Sequence, residues 1–262
     1  MAGPRTKRAL RIAFLAGLSL LAAGLLFEGV LRFLLFSDAS LALRVGARFR
    51  RSELYASERS GRDYWKLEAL FARGKPPDPH TPPFDARFGW LKAEIDPVTL
   101  RHADEAALGA RRPVLLYGDS YAACMLEEGD CWQQLLEHSE LGAGFALLNY
   151  GVPGYGLDQA YLLLRATHAL YAERAPVVVI GILVDDDLDR CYLHLRDMPR
   201  PYFSLAGAEL ELHPPEGATR FEHVERDPPA ITSYAWRLFL TSRPSSGGWS
   251  WACCRRCRWS TH

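Results

Sequence analysis

The side chains able to do chemistry in this chain fall into three short groups. Ser120 ends a Gly118-Asp119-Ser120 triplet that closes the apolar run 114–117. A serine at the carboxyl end of a buried parallel strand stands where open α/β sheets form their ligand crevice. Its hydroxyl can act there as a nucleophile, provided a base and an oxyanion site are close. Gly, Asp and Ser are also turn formers, so the triplet alone suits a plain turn equally well. The second group, 149–156, reads Asn-Tyr-Gly-Val-Pro-Gly-Tyr-Gly, a glycine-rich loop after another apolar run. The third, 185–190, reads Asp-Asp-Asp-Leu-Asp-Arg and follows a third apolar run.

The elements that must position these groups alternate along the chain. Segments 114–117, 145–150 and 176–184 are short, apolar and bounded by Gly, Pro or charge, as buried strands are. The third is apolar on both faces, which predicts a central parallel strand. Between them, 132–138 has helical spacing with Trp132, Leu135 and Leu136 on one face. Segment 157–173 predicts a long helix with Leu162, Leu163, Ala166, Ala169 and Leu170 as its stripe. Strand–helix–strand–helix–strand is the order of a parallel sheet covered on both sides, an α/β fold. The polar loops after all three strands then lie at one end. Ser120, the 149–156 loop and the 185–190 loop should converge on one crevice.

The chain has 262 residues, with 31 basic and 31 acidic side chains. That balance gives no basic excess for a nucleic-acid partner, and none is expected. Residues 1–11 hold Arg5, Lys7, Arg8 and Arg11, and 12–36 is an apolar run broken only by Glu28 and Arg32. A spanning helix needs about 20 mostly apolar residues. The two charges are four apart, share a helix face and can pair. The reading is an uncleaved transmembrane anchor whose partner is the lipid bilayer, the basic segment lying in the cytoplasm and the rest outside. Residues 37–83 read as a solvated, partly helical neck with Arg48, Arg50 and Arg51 clustered, ending in a proline-rich linker from Gly74. Phe84 to Leu91 reads as a turn with aromatic anchors on the edge of a domain spanning 84–240. Segment 202–212 reads as a hairpin about Ala206-Gly207, and 231–240 as a helix. Cys124 and Cys131 flank the start of the first helix and can pair in an oxidising compartment.

The Gly118-Asp119-Ser120 triplet, the Asn149-x-Gly151-Val152-Pro153-Gly154-Tyr155-Gly156-x-Asp158-Gln159 element and an apolar strand ending in an acidic pair together resemble the SGNH/GDSL hydrolases. The likeness is to a membrane-anchored bacterial branch of that family. The Phe88-Gly89-Trp90 turn and the Pro199-Arg200-Pro201-Tyr202-Phe203 segment suit the same branch. The resemblance implies a flavodoxin-like three-layer α/β/α domain. It makes Ser120 the nucleophile, and Gly154 an oxyanion-hole donor with Gly151 as runner-up. Glycine suits that role because no Cβ blocks the approach of an oxyanion. Asp185 stands where the family carries an asparagine, though the register admits Asp186. An ionised carboxylate only accepts hydrogen bonds and repels an oxyanion. The simpler reading is that 185–189 cap the strand end and pair with Arg190. The family's base is the histidine of an Asp-x-x-His on a late loop. None of the eight histidines here has that spacing, and His194 and His223 read as surface residues.

From Thr241 the apolar period stops, and the tail 241–262 is crowded with Arg, Cys, Trp and Ser. Cys253, Cys254 and Cys257 lack the second half of a zinc site, so no metal or cofactor is expected. The tail reads as out of frame, with the last strands and the histidine block lost. The sheet is then expected to be incomplete, with an open apolar edge. The implied activity is transfer of an acyl group from an ester to water or a sugar hydroxyl, on an envelope glycan or lipid substrate, through an acyl-serine. Without a recognisable base it should be very weak. The other reading is a non-catalytic, membrane-anchored envelope assembly or carbohydrate-binding protein.

Overall fold

The computed structural model describes residues 4–56, 61–74, 81–125 and 131–241. Residues 242–262 of the tail, with its three cysteines, and residues 75–80 of the linker lie outside them. In chain order the helices are α1 (Pro4–Phe36), α2 (Ser40–Gly46), α3 (Arg62–Phe71), α4 (Ser120–Ala123), α5 (Trp132–Glu137), α6 (Leu157–Thr167), α7 (Val184–Arg190), α8 (Arg220–Arg226) and α9 (Tyr234–Thr241). The strands are β1 (Phe84–Asp85), β2 (Gly89–Trp90), β3 (Arg112–Gly118), β4 (Phe145–Gly151), β5 (Val177–Ile180), β6 (Tyr202–Ala206) and β7 (Glu209–His213).

The core of this mixed α/β fold is a three-stranded parallel sheet of order β4-β3-β5. Strand alternation puts Leu115 and Tyr117 of β3 beside Leu148 and Tyr150 of β4 on one face. The two tyrosine rings stack with centroids 5.4 Å apart. Their hydroxyls find partners, as buried phenols must. Tyr117 bonds Thr167 Oγ1 on α6 at 2.7 Å, and Tyr150 donates to the Leu100 carbonyl at 3.0 Å. The β1–β2 hairpin is not an edge ornament. Phe88, Trp90 and Leu91 are buried in this same core.

Several elements depart from the sequence reading. β5 is an edge strand, not the central one, and Val178, Val179 and Ile180 are 37–42% exposed. An unbroken apolar run carries no signal of its place in the sheet. The helix after Gly156 is α-helical only to Thr167 and continues as a 3₁₀ turn, His168–Arg174. It buries Gln159, Ala160, Leu163 and Thr167, a set rotated from the predicted stripe. Trp132 and Leu135 of α5 face outward, and that helix buries no residue. The acidic segment after β5 is helical, forming α7 in place of the expected loop. The 202–212 hairpin forms as read, as β6–β7 with Gly207 at a positive φ of 70°.

Helix α1 contains a stretch, Leu10–Phe36, long and apolar enough to cross a membrane. Glu28 and Arg32 pair at 2.6 Å as their spacing predicts, but they do more than neutralise each other. Glu28 accepts from the Ser233 hydroxyl and from the Tyr234 and Ala235 N–H groups, so it caps the first turn of α9 from another helix. Arg32 donates to the Thr232 carbonyl at 2.9 Å. The neck is correspondingly packed rather than merely solvated. Leu31 and Leu35 of α1, Tyr55, Leu67 and Phe71 form a second buried cluster with Ile231 and Tyr234. Arg50, read as part of a solvated basic cluster, donates to the Leu34 and Ser37 carbonyls at the end of α1. Thus α9 belongs with the α1 end and not with the sheet.

Candidate functional site

Ser120 is the first residue of α4, at the carboxyl end of the central strand. Asp119 is the N-cap, its Oδ1 accepting from the Tyr121 N–H at 2.8 Å. The first N–H groups of a helix have no intrahelical acceptor, and the Asp119 cap takes that of Tyr121. The strand-to-helix turn is tight. A Cβ on Gly118 would lie 2.4 Å from the Gly181 carbonyl oxygen and 2.7 Å from Ala122 Cβ, and its φ is +148°. Glycine is therefore required for α4 to turn so closely over β3.

The side chain that joins the three loops is Arg190, near the end of α7. Its Nη1 bonds Asp119 Oδ2 at 3.0 Å, Asp187 Oδ1 at 2.8 Å and the Tyr155 carbonyl at 3.0 Å, while Nη2 pairs with Asp186. The Arg190, Asp119 and Asp187 side chains are 8%, 3% and 3% exposed. The convergence expected of the Ser120 turn, the 149–156 loop and the 185–190 segment is thus made by one guanidinium. Pairing of Arg190 with the acidic run was expected. Its reach to Asp119 and to Tyr155 was not, because it depends on α7 being a helix.

One cation shared by several carboxylates leaves a negative excess. Burial pushes Asp119 upward, but the Tyr121 N–H and Arg190 outweigh it and hold this carboxyl below its usual range. Burial dominates at Asp187. With the Asp119 charge beside it, that group is pushed up to about 6, despite the Leu183 N–H and Arg190. A carboxyl whose folded pKa is raised prefers the protonated native state. Its contribution to stability falls as pH rises from the ordinary 3.8 through about 6. Asp187→Asn is therefore expected to gain thermal stability relative to the parent as pH rises across that window. Melting curves at pH 4 to 8 check this; a difference independent of pH, or falling with pH, contradicts it.

Asp185, the position expected from the resemblance to match an asparagine, is exposed, as is Asp186; the buried carboxylate is Asp187. The Gly151 N–H is taken by Asn149 Oδ1 at 2.9 Å, and a Cβ there would lie 2.5 Å from the Ala123 nitrogen. Gly151 is thus committed to packing β4 under α4. Gly154 has a φ of +87° and stands beside Trp90 and Arg196, with Arg196 Nη1 donating to its carbonyl at 2.9 Å. The rest of the 149–159 element is a set of ties. Asn149 Nδ2 reaches the Ala122 carbonyl at 3.0 Å, closing the end of α4. Trp90 Nε1 reaches the Pro153 carbonyl at 3.1 Å, and the Tyr155 hydroxyl donates back to the Trp90 carbonyl. Gln159 Nε2 donates to the Phe88 carbonyl at 2.6 Å, and Asp158 pairs with the fully buried Arg200. Gly89 completes the join, because a Cβ there would lie 2.7 Å from the Pro199 carbonyl oxygen. The Phe88–Trp90 turn and the 199–203 segment, far apart in sequence, therefore meet at the loop.

Beside this loop runs a cleft of about 710 Å³ lined mainly by apolar groups, among them Trp90, Leu91, Ile95, Met125, Val152 and Pro153. Lys92 and Asp197 are its charged members. The Cys124–Cys131 pair forms a disulfide at the end of α4, with Cα atoms 5.6 Å apart.

The Ser120 hydroxyl hydrogen-bonds one side chain among the described residues, Asp119, at 3.4 Å. Two histidines expected at the surface are not there. His223 is fully buried, with Nδ1 on the Glu216 carbonyl. His194 stacks on Tyr202 with ring centroids 3.6 Å apart, and burial with the nearby Arg62 charge pushes it down to about 4. His102 is buried behind β4, bonding the Asn149 carbonyl, and His213 bonds Ser204. No protein-family model, curated protein or solved structure matches the chain.

Proposed function

We propose that this chain is an SGNH-type serine esterase or O-acyltransferase domain of flavodoxin-like layering, carried on a membrane anchor, with little activity in its present form. The observation that carries the reading is the placement of Ser120. Its hydroxyl stands at the head of a helix at the end of the central parallel strand, beside a glycine loop and fixed by a buried Asp119–Arg190 bridge. In the proposed reaction Ser120 Oγ attacks an ester carbonyl. The Ser120 and Gly154 N–H groups receive the oxyanion, the alcohol leaves, and water or a sugar hydroxyl takes the acyl group from serine. The largely apolar cleft beside the loop, lined by Val152 and Pro153 and not by Ser120, is the proposed seat of the acyl group. Cell-envelope glycan or lipid esters are the proposed substrates.

The basic residues Arg5, Lys7, Arg8 and Arg11 support a cytoplasmic N-terminus. The Cys124–Cys131 disulfide supports an oxidising compartment for the domain, as in a bacterial periplasm. The weakness of the activity follows from the electrostatics. The carboxylate nearest Ser120 Oγ is held below its usual range, and a weak base of that kind does not activate a serine hydroxyl.

The same observation favours a second reading, a non-catalytic envelope assembly or glycan-binding protein that uses the crevice without chemistry. Hydrolysis of p-nitrophenyl acetate by the full chain in detergent distinguishes them. The first reading expects slow turnover that is abolished in Ser120→Ala. Equal rates in both proteins, together with glycan binding that survives the substitution, move the second reading ahead.

A further inference from the structure

We propose that α2 and α9 form a collar that seats on the lipid surface where α1 leaves the bilayer. The proposal rests on reading α1 as a membrane span and extends it to two helices that are not themselves spans. The uncharged part of α1, residues 12–27, has 16 residues, a length of roughly 24 Å at ~1.5 Å per residue. The hydrocarbon core is about 30 Å thick. The boundary of the acyl region therefore reaches the turn of α1 that carries Glu28 and Arg32. That turn is where α9 is anchored, since Glu28 caps its first N–H groups and Arg32 lies 5.0 Å from the Tyr234 ring centroid. Helix α2 is fixed at the same end of α1, with Ala42 and Gly46 buried. A Cβ on Gly46 would lie 2.2 Å from the Leu34 carbonyl oxygen.

Each of these helices turns one face to the protein and an apolar face outward. In α9, Tyr234, Ala235 and Leu238 pack inward, while Trp236 and Phe239 stand 59% and 50% exposed with their rings 5.7 Å apart. In α2, Leu41 and Val45, four apart on one face, are exposed at 64% and 43%. Both helices pack against α1, whose apolar stretch 10–36 is exposed. Arginines accompany it, with Arg44, Arg48 and Arg237 exposed. An aromatic pair and arginines around an apolar face is the composition that settles at the headgroup level, rings in the boundary and guanidiniums on phosphates. That charge, and the attachment of both helices to α1, select lipid over a second copy of the chain as the occupant.

The test uses the full chain reconstituted in phosphatidylcholine–phosphatidylglycerol vesicles. A photoactivatable benzoylphenylalanine replaces, one at a time, Phe14 in the span, Phe239 and Leu41 in the collar, and the 84% exposed Val98 of the α/β domain. The expected result is a mass gain of one phospholipid at 14, 239 and 41 and none at 98. Lipid adducts at 14 with only chain–chain or water products at 239 and 41 overturn the collar and leave the anchor standing. Absence of lipid adducts at 14 overturns the anchor reading and the collar with it.

Discussion

Arg190→Met is expected to destabilise the folded chain by about 3–5 kcal/mol, the usual cost of removing one partner of a buried ion pair. The substituted side chain keeps most of the apolar stem, so the loss is electrostatic. Asp119 and Asp187, each 3% exposed, would face one another without a cation. For a chain of this size the melting temperature should fall by roughly 10 °C, at about 2–4 °C per kcal/mol. The pH dependence separates this from lost packing. Two buried carboxylates without their guanidinium are held protonated in the native state, so their folded pKa values rise above the unfolded ones. Stability from such groups is present at low pH and lost as pH rises. The deficit of Arg190→Met should therefore shrink at acid pH. A deficit constant from pH 4 to 8 would show that the arginine contributes only bulk.

The second large effect is expected at the turn that presents the serine. Gly118→Ala should cost roughly 2–6 kcal/mol, about 1–3 from a strained backbone and about 1–3 from overpacking. The added carbon has nowhere to go, because its neighbours are the Gly181 carbonyl and Ala122 Cβ, both in the framework that holds Ser120. Relief requires α4 to lift from β3 or β5 to move outward. The variant should therefore lose ester turnover in excess of its unfolded fraction. Urea titration beside p-nitrophenyl acetate hydrolysis reads both effects. Full stability in the variant would mean that the turn is looser than described.

The parts of this architecture legible in the sequence are those set by local pattern. The runs at 114–117 and 145–150 are apolar and turn-bounded, and they form the central strand and one of its two neighbours. The hairpin about Gly207 and the Glu28–Arg32 pair follow from turn chemistry and helical spacing. What failed depended on tertiary context. The apolar run before α7 gave no sign that its strand lies at the edge. The acidic run 185–189 reads as a loop because aspartate is a poor helix former. Yet three aspartates in the first turn and an arginine in the last complement a helix dipole, and that signal marks α7. The neck reads as solvated, yet Tyr64, Leu67 and Phe71 fall at i, i+3 and i+7, the spacing of one buried helix face.

At the site, the sequence placed Ser120, the glycine loop and the acidic segment together, and the geometry brings those segments onto Arg190. It did not show that Asp187 rather than Asp185 turns inward, or that the Gly151 N–H is committed to Asn149. The Trp90, Gln159 and Arg200 contacts that tie the loop to remote segments were equally hidden, because each joins residues more than 40 positions apart. A motif can name such residues but not their partners.

The proposed function requires that Ser120 be a nucleophile made available by the folded crevice. Incubating the full chain with a fluorophosphonate and mapping the adduct by peptide mass tests it most directly. The expected result is a single adduct on Ser120, formed slowly, but faster in the folded chain than in the urea-unfolded one. No adduct at Ser120, or one formed no faster than in the unfolded chain, would contradict it.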